Sequence, residues 1–211
     1  VHYAVKATEV SNVKVASVAG AFPSGLSTIE ARIADIADAV KRGADEIDIV
    51  LNRSAFLAGD EQRAFEEIVA SKDACGEAHL KVILEVGELG SYDKIRQASM
   101  LAMTAGADFI KTSTGKISQA SSLPRVLCMA EAVRDFAYQT NISVGIKAAG
   151  GIRTAKQAWH YLVVIGETLG TEWLNPEMFR IGASGLLNDV LLQLNRLDSG
   201  SYSGPDYVTV D

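Results

Sequence analysis

The chain has 211 residues, 48% hydrophobic and 22% charged, with a formal net charge of -6, the balance of one globular domain large enough to bury a core. An acidic chain without a basic stripe excludes a nucleic-acid surface, and no apolar run nears the roughly 18 residues of a membrane span. Cys75 and Cys128 are too few for a disulfide framework and imply a reducing, cytoplasmic setting, while His2, His79 and His160 fall in no metal-ligand spacing.

Val1–Thr8 reads as the remnant of a helix. Val13–Val18 is the first predicted strand and Thr28–Arg42 the first full helix, where Ile29, Ile33, Ile36, Ala37 and Val40 make one apolar stripe. Ser27 or Thr28 is its N-cap and Gly43 its stop. Strand Glu46–Leu51, helix Asp60–Ala78, strand Leu80–Glu85 and helix Tyr92–Ala105 follow, the last bracketed by Ser91 and Gly106. Then come strand Phe109–Lys111, helix Leu123–Tyr138, strand Ser143–Lys147, helix Ala155–Leu169, strand Phe179–Ile181 and helix Leu186–Leu197. Alternation of apolar strands with helices predicts a parallel sheet covered by helices. The expected organisation is one domain over 1–198 and a mobile tail over 199–211.

An internal repeat narrows the architecture. Gly43-Ala44-Asp45-Glu46-Ile47-Asp48 matches Gly106-Ala107-Asp108-Phe109-Ile110-Lys111 at an offset of 106 − 43 = 63 residues, about two units of a (β/α)₈ barrel. Asp48 and Lys111 each stand five positions after the glycine and so share a face of the sheet, which in a barrel is the interior near the catalytic rim. Ser143-Val144-Gly145-Ile146-Lys147 brings a second lysine to the next strand end. A lysine amine among apolar neighbours and beside another cation loses its proton readily and can attack a carbonyl. Lys111 is therefore the candidate Schiff-base nucleophile, Lys147 the cation that keeps it neutral, and Asp48 the proton carrier, with Lys147 or a water completing the relay. A plain buried ion pair is the blander alternative.

The loops favour an anionic substrate. Thr112-Ser113-Thr114-Gly115-Lys116 follows the Lys111 strand as a hydroxyl-rich loop, Ala149-Gly150-Gly151-Ile152-Arg153-Thr154 opens one helix, and Gly182-Ala183-Ser184 opens the last. Such glycines let backbone N–H groups approach a phosphate at a helix N-terminus.

These residues resemble the 2-deoxyribose-5-phosphate aldolase family of Schiff-base (class I) aldolases. The resemblance rests on Ala44–Asp48, Leu80–Glu85 with Gly87-Glu88-Leu89, Asp108–Lys116, Gly145–Arg153 and Arg180–Ser184. It implies a TIM (β/α)₈ barrel, Lys111 as Schiff-base residue, and proton transfer by Asp48 and Lys147. It further implies phosphate contacts from Gly115, Lys116, Gly150, Gly151, Arg153, Gly182 and Ser184, and no metal or organic cofactor. The implied reaction is reversible cleavage of 2-deoxy-D-ribose 5-phosphate to D-glyceraldehyde 3-phosphate and acetaldehyde, in deoxynucleoside catabolism, with a homo-oligomer compatible. Ala148 stands where the family has proline, and Gly185 where a second serine is common; Tyr202 and Tyr207 are candidates for a tail tyrosine over the site. Six predicted βα units against the eight of a closed barrel imply that the first one to two are lacking. Another phosphosugar lyase or isomerase on the same barrel, or a catalytically silent scaffold, are the competing readings.

Overall fold

The computed structural model describes residues 1–118, 120–201 and 204. A short helix α1 (His2–Thr8) leads to β1 (Ala16–Val18), α2 (Ile29–Lys41), β2 (Glu46–Val50), α3 (Arg53–Leu57), α4 (Glu61–Cys75), β3 (His79–Ile83) and α5 (Tyr92–Thr104). The second half continues with β4 (Phe109–Lys111), α6 (Leu123–Thr140), β5 (Gly145–Ala149), α7 (Ala155–Leu169), a 3₁₀ turn (Thr171–Trp173), β6 (Phe179–Gly182) and α8 (Leu186–Ser199). No helix among the described residues is long and apolar enough to cross a membrane. The residue that starts α2 is Thr28, whose hydroxyl accepts from the Ala31 N–H, and Ser91 caps α5 through the Lys94 N–H.

The six strands are all parallel and lie in chain order, each bonded to the next. Among the described residues the outer edges of β1 and β6 pair with no further strand. The sheet is strongly curled. Strands four places apart in a flat sheet lie about 19 Å from each other, yet Arg180 on β6 reaches Glu46 on β2 at 2.9 Å. Alternation then sorts the side chains. Ile47, Ile49, Leu80, Val82, Ile110, Ile146 and Ala148 face the helices and form the apolar core. Glu46, Asp48, Lys81, Lys111, Lys147 and Arg180 meet one another on the concave side.

The repeat has a structural meaning at the other end of the strands. Asp45 accepts the Val15 N–H at 2.8 Å, and Asp108 accepts the Leu80 N–H at 2.7 Å. Each aspartate thus ties its own strand to the start of the preceding one. Gly43 and Gly106, both at φ +95, make the turn that brings it there.

Three differences from the sequence reading have physical reasons. β3 stops at Ile83 because Glu85 takes a left-handed conformation, φ +54. α3 was not foreseen, although Asn52 announces it by accepting the Ala55 N–H. α8 runs on to Ser199, into the segment expected to be a tail; Tyr202 and Tyr207 lie outside the described residues.

Gly145 makes room for the Phe109 ring: a Cβ there would stand 2.3 Å from a ring carbon. Gly145→Ala should therefore lower stability by about 2 kcal/mol and Tm by about 5 °C. Thermal unfolding of the variant checks this, and an unchanged Tm would contradict it.

Candidate active site

The concave face gathers its ions around one carboxylate. Asp48 Oδ2 accepts from Lys111 Nζ at 2.7 Å and from Lys147 Nζ at 2.8 Å. The two lysines are register partners on adjacent strands, and Asp48 lies across the arc on β2. Lys111 and Asp48 are equivalent positions of the 63-residue repeat, and here they touch. The three residues singled out from sequence therefore share one site.

Their surroundings set the protonation states. Burial is the main cause that pulls the Lys111 amine below the ordinary lysine range; Asp48 pushes the other way, while Lys147 and Lys81 add to the lowering. The expectation that Lys147 holds Lys111 neutral thus captures only one contribution, with desolvation the larger. Burial by itself would raise Asp48, but the ammonium groups of Lys111, Lys147 and Lys81 outweigh it and hold the carboxyl well below the usual range.

Above the lysines opens a cavity of about 520 Å³, lined by Lys111, Thr114, Gly115, Lys147, Gly150, Gly151, Arg153, Gly182 and Ser184 among others. Of the residues expected to hold phosphate, six line it; the exposed Lys116 does not. The close approach of the loops needs glycine at two places. A Cβ on Gly150, at φ +93, would stand 2.4 Å from Ala120 Cβ and 2.8 Å from Ser113 Oγ. One on Gly182 would stand 3.2 Å from Lys147 Cε, so glycine leaves the Lys147 side chain its path into the site.

The two helix N-termini differ. In α7 a capping box between Thr154 and Gln157, together with Asp189 on the Ala155 N–H, already occupies the first donors. α8 begins at Gly185 with no side-chain cap, and both Ser184 and Gly185 line the cavity. An anion is therefore better served by α8 and the glycine backbone than by α7.

Several residues of the site were not foreseen. Glu85 accepts from the Thr114 hydroxyl at 2.5 Å and from its N–H at 3.2 Å, bracing the loop after β4. Thr112 bridges β4 to β5 through both the N–H and the carbonyl of Ala149. Beneath Asp48, Lys81 bonds Glu46 at 2.5 Å and Arg180 bonds Glu46 at 2.9 Å. Their ions flank the Phe109 ring, Lys81 at 5.7 Å and Arg180 at 5.9 Å from its centre. A lysine in the middle of the apolar run Leu80-Lys81-Val82-Ile83 was the available signal. Among the described residues no cluster of three His, Cys, Asp or Glu side chains could hold a metal ion.

Comparison with known proteins gives a consistent outcome. A family model described as DeoC/LacD family aldolase matches residues 4–188. The chain is 48% identical over 202 residues to the deoxyribose-phosphate aldolase of Homo sapiens, covering 95% of this chain and 64% of the human protein. It therefore spans less than two thirds of that curated relative. Among solved structures it resembles QR15, an aldolase, with a TM-score of 0.75 and 31% identity over 95% of this chain and 82% of that one. It also resembles the tetrameric deoxyribose phosphate aldolase of Aeropyrum pernix, with a TM-score of 0.70 and 25% identity, covering 93% and 74% of the two chains.

Proposed function

Since the chain belongs to the DeoC/LacD family of aldolases, we propose that it cleaves 2-deoxy-D-ribose 5-phosphate reversibly to D-glyceraldehyde 3-phosphate and acetaldehyde, on the concave face of a (β/α)-barrel sheet. The observation that carries this reading is the single oxygen of Asp48 shared by the amines of Lys111 and Lys147.

In the cleavage direction the neutral Lys111 Nζ attacks the C1 aldehyde of the open-chain sugar, giving a carbinolamine that loses water to an iminium ion. Asp48, with Lys147 or a water, takes the proton of the C3 hydroxyl. The C2–C3 bond breaks, its electron pair moves into the C1–C2 bond, and the iminium π electrons go to nitrogen. This yields an enamine and D-glyceraldehyde 3-phosphate. The relay returns a proton to C2, and hydrolysis of the iminium releases acetaldehyde and restores the amine. No further reactant is needed. The phosphate lies between Gly115, Gly150, Gly151, Arg153, Gly182 and Ser184, where α8 presents its N-terminus. The free thiols of Cys75 and Cys128 suit a reducing cytoplasm, and self-association is the assembly suggested by the tetrameric relative.

Incubation with acetaldehyde and borohydride, followed by peptide mass mapping, tests the reading. An N-ethyl-lysine at position 111 is the expected product. Adducts spread over exposed lysines with none at 111, in a folded preparation, would overturn it.

A further inference from the structure

A lysine without solvent contact stays in a protein interior only where carboxylates surround it, because removing an ammonium from water is costly. Lys81 on β3 is such a residue. Its Nζ lies 2.5 Å from Glu46 Oε2 and 3.2 Å from Asp48 Oδ1. Glu46 is held on its other oxygen by Arg180, and Phe109 lies beside both cations. Lys81 and Glu46 would satisfy each other without Asp48, so the second contact calls for a reason.

The division of labour on Asp48 supplies one. Its Oδ2 receives both reactive amines, whereas Oδ1 is buried, makes no hydrogen bond, and has Lys81 as its ion-pair partner. A carboxylate that two amines pull at one oxygen can rotate about its Cβ–Cγ bond unless the other oxygen is held. We propose that Lys81 is a positioning residue: its ammonium holds Asp48 from beneath so that Oδ2 faces Lys111 and Lys147 together. The proposal rests on the aldolase reading for its catalytic consequence, but the geometry it invokes does not.

Charge acts in the same sense. The groups facing one another in this interior are Glu46 and Asp48 from β2, Lys81 from β3, Lys111 from β4, Lys147 from β5 and Arg180 from β6. Besides Lys111, the side chains of Lys81, Lys147 and Arg180 lie within ion-pair reach of the two carboxylates. Lys81 therefore works with Lys147 against a proton on Lys111. Glu46, bound between Lys81 and Arg180, lies farther along the chain of contacts.

Competitive labelling of the full chain with acetic anhydride, read by peptide mass across a pH series, follows the Lys111 amine directly; the exposed Lys41 serves as reference. In Lys81→Met the midpoint for Lys111 should rise by about one pH unit or more, and kcat should fall at least about tenfold at unchanged KM. Lys81→Met combined with Glu46→Gln removes one charge of each sign, so it leaves the net charge of the interior unchanged, and its midpoint should move up by a smaller step. A midpoint unchanged in either folded variant, or a kcat within about twofold of wild type in folded Lys81→Met, overturns the proposal. A wild-type chain that never forms the borohydride adduct counts against the aldolase reading alone, because labelling does not depend on turnover.

Discussion

Lys111→Ala is expected to abolish the proposed turnover of 2-deoxyribose 5-phosphate, by at least about 10⁴-fold in kcat, and to leave affinity for inorganic phosphate within about twofold. The asymmetry follows from position. Lys111 Nζ sits at the floor of the cavity beside Asp48, while the proposed anion cradle lies in the loops after β4, β5 and β6. Lys147 is assigned to the proton relay with Asp48 and so does not replace the missing nucleophile. Borohydride trapping should vanish at the same time. Residual turnover within tenfold of wild type would remove Lys111 from the proposed mechanism. The variant should also behave differently with pH. A buried lysine with lowered proton affinity binds fewer protons folded than unfolded, so wild-type stability rises with pH between its folded midpoint and about 10.4. Urea unfolding at neutral and mildly alkaline pH should show that rise in wild type and a flatter profile in the variant.

Asp48→Asn is expected to separate imine formation from carbon–carbon cleavage. The amide cannot carry the proton, so kcat should fall by about 10²–10⁴-fold. Lys111 keeps a lowered proton affinity, lowered further once the attractive carboxylate is gone, and so stays a nucleophile. The trapped adduct at position 111 should therefore persist while turnover disappears, whereas Lys111→Ala loses both. Loss of both adduct and turnover in a folded protein would show that Asp48 serves the amine itself rather than the relay. Acid behaviour gives a second check. The folded carboxyl is depressed, so it stabilises the fold above about pH 3.9 and keeps doing so until pH falls through its own low midpoint. Asp48→Asn removes that contribution and should flatten the acid limb of stability against pH.

Much of this site was legible in one dimension because charge at the end of an apolar strand is conspicuous. Asp48, Lys111 and Lys147 each interrupt such a run, and the 63-residue offset placed two of them on one face before any register was known. The glycine loops were legible for a similar reason, since Gly150 and Gly182 stand where a Cβ has no room. Lys81, Glu46 and Arg180 escaped because their meaning lies in a meeting of three strands, which only the curl of the sheet creates. Glu85 escaped because a left-handed glutamate cannot be told from a strand residue by periodicity. Lys116, expected at the phosphate from its place in the motif, is exposed and is not among the residues that line the cavity.

The paired aspartates of the repeat, Asp45 and Asp108, fasten strands at the end remote from the lysines. Anchorage and chemistry thereby occupy opposite poles of the same strands. The register of the strands is thus fixed without calling on any residue of the loops that line the cavity.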